Sequence, residues 1–354
     1  MTHNVIKTII TLLMFMGITF AQIPPPLFFQ SVQYESPSLV APVNLLFVSP
    51  SPNTRWKFAV QGWTLATSFE RQLDPKIAVE YTLNFTPINS NGSNRIYEGK
   101  NGEELDRILL EENSWSKRLD ENSMYKNLSI QTIAKVSYKR TAHWAASLAV
   151  MGLYEKVEEL DQNLQDYWQS PYLGFDVEIS FSDLVSENLY TNQWEGLKAT
   201  ATNRVFVGLE SWGQLESFVG YGKFFNYLHT RTNIFLLYSW NTNLVNKFLI
   251  GGGWDLPGLY SLYGYPYGFF RIEKGLIINE IIDIPIHGNW TLGLRFASLK
   301  ASDFFTYGQA FKIMKTWNGF YFNVGISFPE RALIDAQRHN LLIIGGVSYA
   351  FFYN

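Results

Sequence analysis

Large apolar side chains alternate with small or polar ones along several segments of the chain, most clearly in residues 75–85. One face of an extended strand would carry the apolar set, Ile77, Val79, Tyr81, Leu83 and Phe85. The other face would carry Lys76, Ala78, Glu80, Thr82 and Asn84. A transmembrane barrel strand has this pattern, because alternate residues face lipid and an enclosed polar lumen. A strand of a soluble sandwich alternates as well, so one segment does not separate the two.

The alternation recurs along most of the chain, including residues 319–328 and 341–353. The other candidate strands are 42–49, 55–66, 128–139, 143–154, 172–182, 195–207, 213–225, 230–240, 244–253, 275–286 and 289–300. Their lengths resemble the roughly 9–11 residues that a tilted membrane-spanning strand needs. The sequence therefore predicts an all-β fold, a transmembrane antiparallel β-barrel of about 14 strands, with 12 and 16 also compatible.

Three longer inserts interrupt the alternation. Residues 87–127 contain a turn-rich stretch followed by an amphipathic helical pattern at 103–112. Residues 155–169 place apolar side chains at helical spacing, with acids on the opposite face. We expect these two inserts to be extracellular loops with short helices, the alternative being a separate soluble domain. The third insert, residues 251–270, is rich in glycine and tyrosine.

The N-terminus has the pattern of an export signal. Lys7 precedes an apolar stretch at residues 9–20, and Ala21 is a small residue at a plausible cleavage point. A single anchoring helix is the alternative, but the stretch is shorter than the roughly 20 residues a span needs. We predict a signal peptide at 1–21, a proline-rich lead-in at 22–41, since proline cannot donate to a sheet, and the barrel at 42–354.

Composition narrows the class further. The chain is 47% hydrophobic and 16% aromatic, yet beyond the signal no apolar run is long enough for a transmembrane helix. A large soluble core would absorb this apolar surface, and so would a closed barrel in lipid, which satisfies every backbone group. The chain has no cysteine, which excludes disulfides. A formal charge of −3 without a basic stripe argues against nucleic acid as a partner.

The sequence carries no recognisable catalytic or metal-binding pattern. Its five histidines are scattered without ligand spacing, and there is no Gly-x-Ser-x-Gly elbow or phosphate-binding glycine loop. We expect no metal, no cofactor and no enzymatic activity. A lipase whose serine and histidine meet only in space is the alternative.

The C-terminal part of the chain resembles the barrel of the BamA-like bacterial surface-antigen superfamily. The family's loop motif, Leu-Arg-Gly-Tyr, is matched by Leu262-Tyr-Gly-Tyr-Pro266, and the strand after it is matched at Gly275, Asn279 and Pro285. Gly346, Tyr349 and Phe351 resemble the C-terminal assembly signal of such barrels. The resemblance implies an outer-membrane barrel whose loop folds back into the lumen.

Two departures from the family pattern are clear. The loop arginine, which pairs with lumen acids in the family, is replaced by Tyr263, and the strand's glutamate and arginine positions hold Ile281 and Asp283. In addition, only about 20 residues separate the predicted signal from the first predicted strand. We therefore expect a barrel domain without the periplasmic POTRA modules of family insertases and translocators.

The resemblance predicts a plug in the lumen made by the loop residues Leu262, Tyr263, Gly264, Tyr265, Pro266 and Tyr267. Buried phenols normally find hydrogen-bond partners. The candidates in the lumen are Asn279, Asp283, Arg295 and Asn323. The alternative is an outward surface loop whose tyrosines pack on one another.

The leading functional hypothesis is a plugged pore, or a transport- or assembly-related barrel that works with separate periplasmic partner proteins. It would lie in the lipid bilayer of the cell outer membrane. The alternatives are a structural or adhesive surface protein that displays its loops, and a channel for apolar ligands.

Overall fold

A computed structural model describes most of the chain. The described residues are 27–36, 43–48, 54–61, 64–86, 125–159, 168–188, 193–242, 246–253, 260–265, 270–302, 304–317, 320–329 and 342–351. Within these ranges the structure consists almost wholly of β-strands, and no α-helix occurs among them.

Sixteen strands in the described part of the chain form a closed barrel, and two short strands form a separate sheet. Neighbouring wall strands pair antiparallel in chain order, β11 pairs with β14, and β1 pairs with β18 to close the ring. The result confirms the predicted antiparallel barrel and lies at the upper end of the predicted strand number. The strands are β1 Leu27–Ser36, β2 Val43–Val48, β3 Thr54–Gln61, β4 Thr64–Asp74, β5 Ile77–Thr86, β6 Tyr125–Lys139, β7 Trp144–Glu159, β8 Trp168–Asn188, β9 Gln193–Val207, β10 Trp212–Phe225, β11 Leu228–Trp240, β12 Phe248–Ile250, β13 Phe270–Ile272, β14 Lys274–Pro285, β15 Trp290–Ala301, β16 Phe305–Trp317, β17 Phe320–Pro329 and β18 Leu342–Phe351.

The wall begins earlier than the sequence predicted. Residues 22–41 were expected to be a lead-in, but Leu27–Ser36 form β1, which is paired on both sides by β2 and β18. The physical reason is the position of the prolines: three precede the strand at residues 24–26 and one follows it at Pro37. The ten residues between them keep every backbone N–H that the ladder needs.

Three other differences account for the strand number. The predicted strand 55–66 is divided into β3 and β4, with residues 62–63 between them. The predicted strand 244–253 contributes only the three residues of β12, which pair with β13 and not with the wall. β16 was not predicted, because Gln309 and Lys312 interrupt the simple apolar–polar contrast of residues 305–317.

The predicted helix over 155–169 is wrong at both ends. Residues 155–159 continue β7 in register with β6, and Trp168 begins β8. A helix cannot share these residues, because their backbone groups already belong to sheet ladders. Residues 160–167 and the predicted helix at 103–112 lie outside the described residues.

The two faces of the wall differ as the alternation predicts. Among the described side chains, large apolar ones are exposed on the outer face from β3 to β18, including Tyr81 on β5, Leu148 on β7, Val177 on β8 and Ile313 on β16. Soluble monomers seldom expose apolar patches beyond several hundred Å². The outer surface is therefore suited to lipid.

The larger of two packed apolar clusters lies inside the barrel, against β11, β14–β16 and β18, and the smaller lies on β7–β10. No helix of the described residues is long and apolar enough to cross a membrane.

Candidate functional site

The chain between β11 and β14 folds into the barrel as a compact unit, called the inserted loop here and comprising the described residues 246–253, 260–265 and 270–273. Its base is the β12–β13 sheet, and single bridges join Ile250 to Tyr260 and Gly252 to Leu262. The Gly252 N–H donates to the Tyr265 carbonyl oxygen at 2.8 Å. The inserted loop thus satisfies much of its own backbone hydrogen bonding, which burial requires.

The inserted loop packs on the inner face of the wall. Tyr263 and Tyr265 are fully buried, together with Leu262 and Phe270. They belong to one apolar cluster with the wall residues Ile277, Leu299 and Ile344. This part of the lumen is a dry, protein-like core.

Two glycines allow the backbone of the inserted loop to touch the backbone of the wall. Gly264 has φ +84°, a conformation that favours glycine, and its N–H donates to Ser327 Oγ at 2.6 Å. On β16, a methyl group added at Gly308 would lie 1.6 Å from the Tyr263 carbonyl oxygen. A side chain at either position would push the loop and wall apart.

The Tyr265 hydroxyl hydrogen-bonds the Thr306 hydroxyl on β16, and both groups are buried. Its ring meets Phe270 edge-on, with the centroids 5.0 Å apart. The sequence predicted a hydrogen-bond partner for this phenol but did not find Thr306. Tyr263 lies in the same dry layer, while Pro266 and Tyr267 lie outside the described residues.

The wall supplies a cation to the loop. Lys312 on β16 is buried, and its ammonium donates to the Gly253 carbonyl oxygen at 2.6 Å. The same ammonium lies 5.7 Å from the centroid of the Tyr263 ring, within cation–π range. In the resembled family the cation is on the loop; here the loop carries the tyrosine and the wall carries the cation. Sequence reasoning missed Lys312.

Further contacts connect the loop to β7, β10 and β11. The Asn246 side chain donates to Glu155 Oε2 on β7 at 3.1 Å, and Gln214 on β10 donates to the Asn246 carbonyl oxygen at 2.6 Å. Tyr260 packs edge-on against Phe235 at 5.4 Å and hydrogen-bonds Glu216. Burial raises the pKa of the Tyr260 phenol well above its usual range, so the phenol stays protonated and donates to that carboxylate.

Two of the four predicted lumen partners pair with each other rather than bridging to the loop tyrosines as we predicted. Arg295 Nη1 lies 2.6 Å from Asp283 Oδ1, with both side chains almost fully buried. Gln193 donates to Asp283 Oδ2 at 2.7 Å, and His229 Nδ1 lies 3.7 Å from the same oxygen. This polar cluster ties β9, β11, β14 and β15 together near their short-turn ends.

Of the other two predicted partners, only Asn279 has a hydrogen bond to the described residues of the inserted loop. In the amide orientation that suits its surroundings, Asn279 donates to the Ser261 carbonyl oxygen of the inserted loop at 3.2 Å. Asn323 lies half-buried on β17 in register with Met314 and Gly346. Gly346, Tyr349 and Phe351 all lie in β18, and their role as an assembly signal stays a prediction.

Near the short turns, the inner face of β3–β8 has a different character. Lys57 on β3 lies between Glu70 at 3.0 Å and Glu80 at 3.3 Å, and Lys135 on β6 pairs with Glu178 on β8 at 3.2 Å. All five side chains are partly exposed, between 22% and 34%. Charged side chains that keep this much exposure line a hydrated surface. Across the described part of the chain, no three His, Cys, Asp or Glu side chains form a group that could hold a metal ion.

Comparisons with known proteins agree with this geometry. No protein-family model matches the sequence, and no curated protein matches it. Solved structures do match. BamA from Haemophilus ducreyi lacking POTRA domains 1–3 superposes with a TM-score of 0.65 at 9% identity, covering 93% of this chain and 71% of that one.

Two further matches are CdiB from Acinetobacter baumannii and CdiB from Escherichia coli, each with a TM-score of 0.56 and 11% identity. They cover 92% of this chain, which spans only 60% and 63% of the respective CdiB chains. Identities this low establish the architecture alone. The chain has the barrel fold of BamA and CdiB.

Proposed function

We propose that this protein is an integral barrel of the outer membrane whose lumen is plugged by the inserted loop, and that it serves transport or assembly across that membrane. The observation that carries the proposal is the close backbone contact between Gly264 and β17 and between Tyr263 and Gly308, which fixes the loop inside the wall.

Barrel size supports a plugged pore. Natural barrels of 16–18 strands leave an aqueous channel, because side chains alone do not reach across so wide a lumen. Here the inserted loop fills one side of that space with apolar side chains, while the side lined by Lys57, Glu80 and Lys135 is hydrated. The lumen therefore has a hydrated side through which solutes can pass and a folded loop that obstructs the other side.

Two features support a location in the outer membrane, the apolar outer face and the predicted signal peptide. The apolar outer face suits a bilayer. A signal peptide at 1–21 would deliver the chain to the periplasm, and insertion would place it in the cell outer membrane. We propose no catalytic role, and we expect partners among lipids and periplasmic proteins rather than nucleic acids.

Planar-bilayer conductance tests the proposal. The purified protein should conduct poorly, and deleting residues 259–270 across a short Gly-Ser bridge should raise conductance at least about fivefold, because the 16-strand lumen loses its filling. A matched control deletes residues 90–120 between β5 and β6, which should leave conductance unchanged. Heat-modifiable migration on gels would show that each variant is a folded barrel.

Two results would count against the plugged pore. A folded loop-deleted protein that conducts no more than the parent would contradict it and favour the role of displaying surface loops. High conductance in the intact protein would show that the loop does not obstruct the lumen.

A further inference from the structure

The short-turn end of the β8–β9 hairpin leaves the wall and folds across the inside of the barrel. β9 stays paired with β10 only as far as Gly196, opposite Gly222, whereas its pairing with β8 continues to Gln193. At this point Gly196 has φ +120°, and the β8–β9 register shifts between Leu184 and Ser186. A bulge and a positive-φ glycine together bend a hairpin sharply. We call residues 186–188 and 193–195 the flap.

The flap lies on the inner face of β10. A methyl group added at Gly222 would lie 2.0 Å from the Trp194 carbonyl oxygen, and one added at Gly220 would lie 3.0 Å from the Trp194 ring. Both glycines alternate with the exposed residues Val219 and Tyr221, so they face the lumen. Because both positions are glycine, neither carries a side chain into the space that the flap fills.

Three wall strands hold the flap in place. His229 on β11 hydrogen-bonds the Trp194 carbonyl oxygen through Nε2 at 3.0 Å. Arg231 on β11 and Lys198 on β9 each lie 4.4 Å from the centroid of the Trp194 ring, within cation–π range. Gln193 reaches Asp283 on β14, three strands away from β9, or about 14 Å at the usual spacing of strands.

The flap and the inserted loop enter from opposite ends of the barrel. The inserted loop follows the end of β11 at Trp240, whereas the flap lies at the same end as the short turns 226–227 and 286–289. The two segments use different anchors: Thr306, Ser327 and Lys312 for the loop, and His229 and Asp283 for the flap.

From this geometry we infer that the flap is a second constriction of the lumen, in series with the inserted loop and independent of it. The inference rests on the proposed pore function. Because obstructions in series limit flow together, releasing the flap alone changes little while the loop is in place. Once the loop is removed, the flap becomes the narrowest point.

A single methyl group tests this in planar bilayers. Gly222→Ala forces the Trp194 carbonyl away from β10. In the protein lacking residues 259–270 it should raise conductance a further two- to threefold or so, and in the intact protein it should change conductance little. Gly345→Ala is the matched control, because its methyl group would meet only Asn323 O at an ordinary 3.6 Å.

The outcomes separate the two claims. If the loop-deleted protein conducts and Gly222→Ala adds nothing to it, the flap is only a brace between strands and the inference is overturned. If loop deletion itself has no effect on a folded barrel, the pore function fails first.

Crosslinking tests the position of the flap even if Gly222→Ala does not fold. The chain has no cysteine, so the pair Gln193→Cys and Asp283→Cys is the sole target for a short dithiol reagent. An efficient intramolecular crosslink supports the flap, since Gln193 and Asp283 touch only when it is folded inward. The positive control is Gln193→Cys with Asn188→Cys, which are cross-strand partners. A crosslink in the control alone would overturn the inference.

Discussion

The inner wall of the barrel has two halves that follow the same strand alternation but differ in environment. On β3–β8 the ion pairs of Lys57 and Lys135 keep about a quarter to a third of their side-chain surface exposed. On β14–β15 the pair Asp283–Arg295 keeps 3% and 2%. The inserted loop covers the inner face of β14–β16 with apolar side chains, whereas the apolar cluster of the first half, Met151, Leu153, Tyr172, Phe206 and Trp212, lies toward the other end of the strands and leaves these ion pairs partly exposed.

The contribution of a lumen-facing ion pair to stability therefore depends on whether water reaches it. An exposed ion pair contributes about 0–1 kcal/mol, because water competes for both charges. A buried pair has lost its water, so removing one partner strands the other and costs about 3–5 kcal/mol. In this barrel the segments folded into the lumen decide which regime applies: the flap reaches Asp283 from the short-turn end, and the inserted loop covers the wall above it.

The largest expected effect comes from breaking the buried pair. Arg295→Met should lower the free energy of unfolding by about 3–5 kcal/mol, because the Asp283 carboxylate remains buried without its cation. The matched change on the hydrated half, Lys135→Met, removes the partner of Glu178 and should cost about 1 kcal/mol or less. Denaturant unfolding in detergent micelles measures both. Equal losses would mean that the two halves do not differ in hydration.

A smaller loss of unfolding free energy is expected when a hydrogen bond between two hydroxyl groups is broken. Tyr265→Phe leaves the buried Thr306 hydroxyl without this partner and should cost about 1–3 kcal/mol. On the hydrated half, Thr64 and Thr86 hydroxyls lie 2.9 Å apart, and Thr64→Val should cost about 0.5 kcal/mol or less, since water replaces the lost partner. The double variant Tyr265→Phe with Thr306→Val should recover part of the loss. No recovery would place the cost in packing rather than in the hydrogen bond.

The barrel itself was predictable because its signal is local. Alternation with period two is written in consecutive residues, and Tyr81, Leu83 and Phe85 are exposed on one face as expected. The strands that the sequence did not find are those with a weaker local signal. β1 is hidden among prolines, and β16 carries Lys312 inward and Gln309 outward.

The candidate site was only half predictable. The loop motif at 262–267 was found from its own residues. The anchors of the loop, Thr306, Lys312 and Ser327, lie 41, 59 and 63 residues from the loop residues that they contact. Which wall residues meet the loop depends on strand register and on how deep the loop reaches, and neither is encoded locally. The flap was missed for the same reason, since its bend depends on Gly196 and on glycines one strand away.

We infer that the inserted loop keeps the inner face of β14–β16 dry, whereas the inner face of β3–β8 near the short turns is wet. Cysteines at two inner-face positions test it, Ser147→Cys on β7 and Ala297→Cys on β15, where Ala297 is fully buried beneath the loop. A small charged thiol reagent should modify Ser147→Cys at least about a hundredfold faster, and deleting residues 259–270 should bring Ala297→Cys to a similar rate, because only the loop excludes water there. Equal rates in the intact barrel, or an Ala297→Cys that stays protected without the loop, would contradict the account.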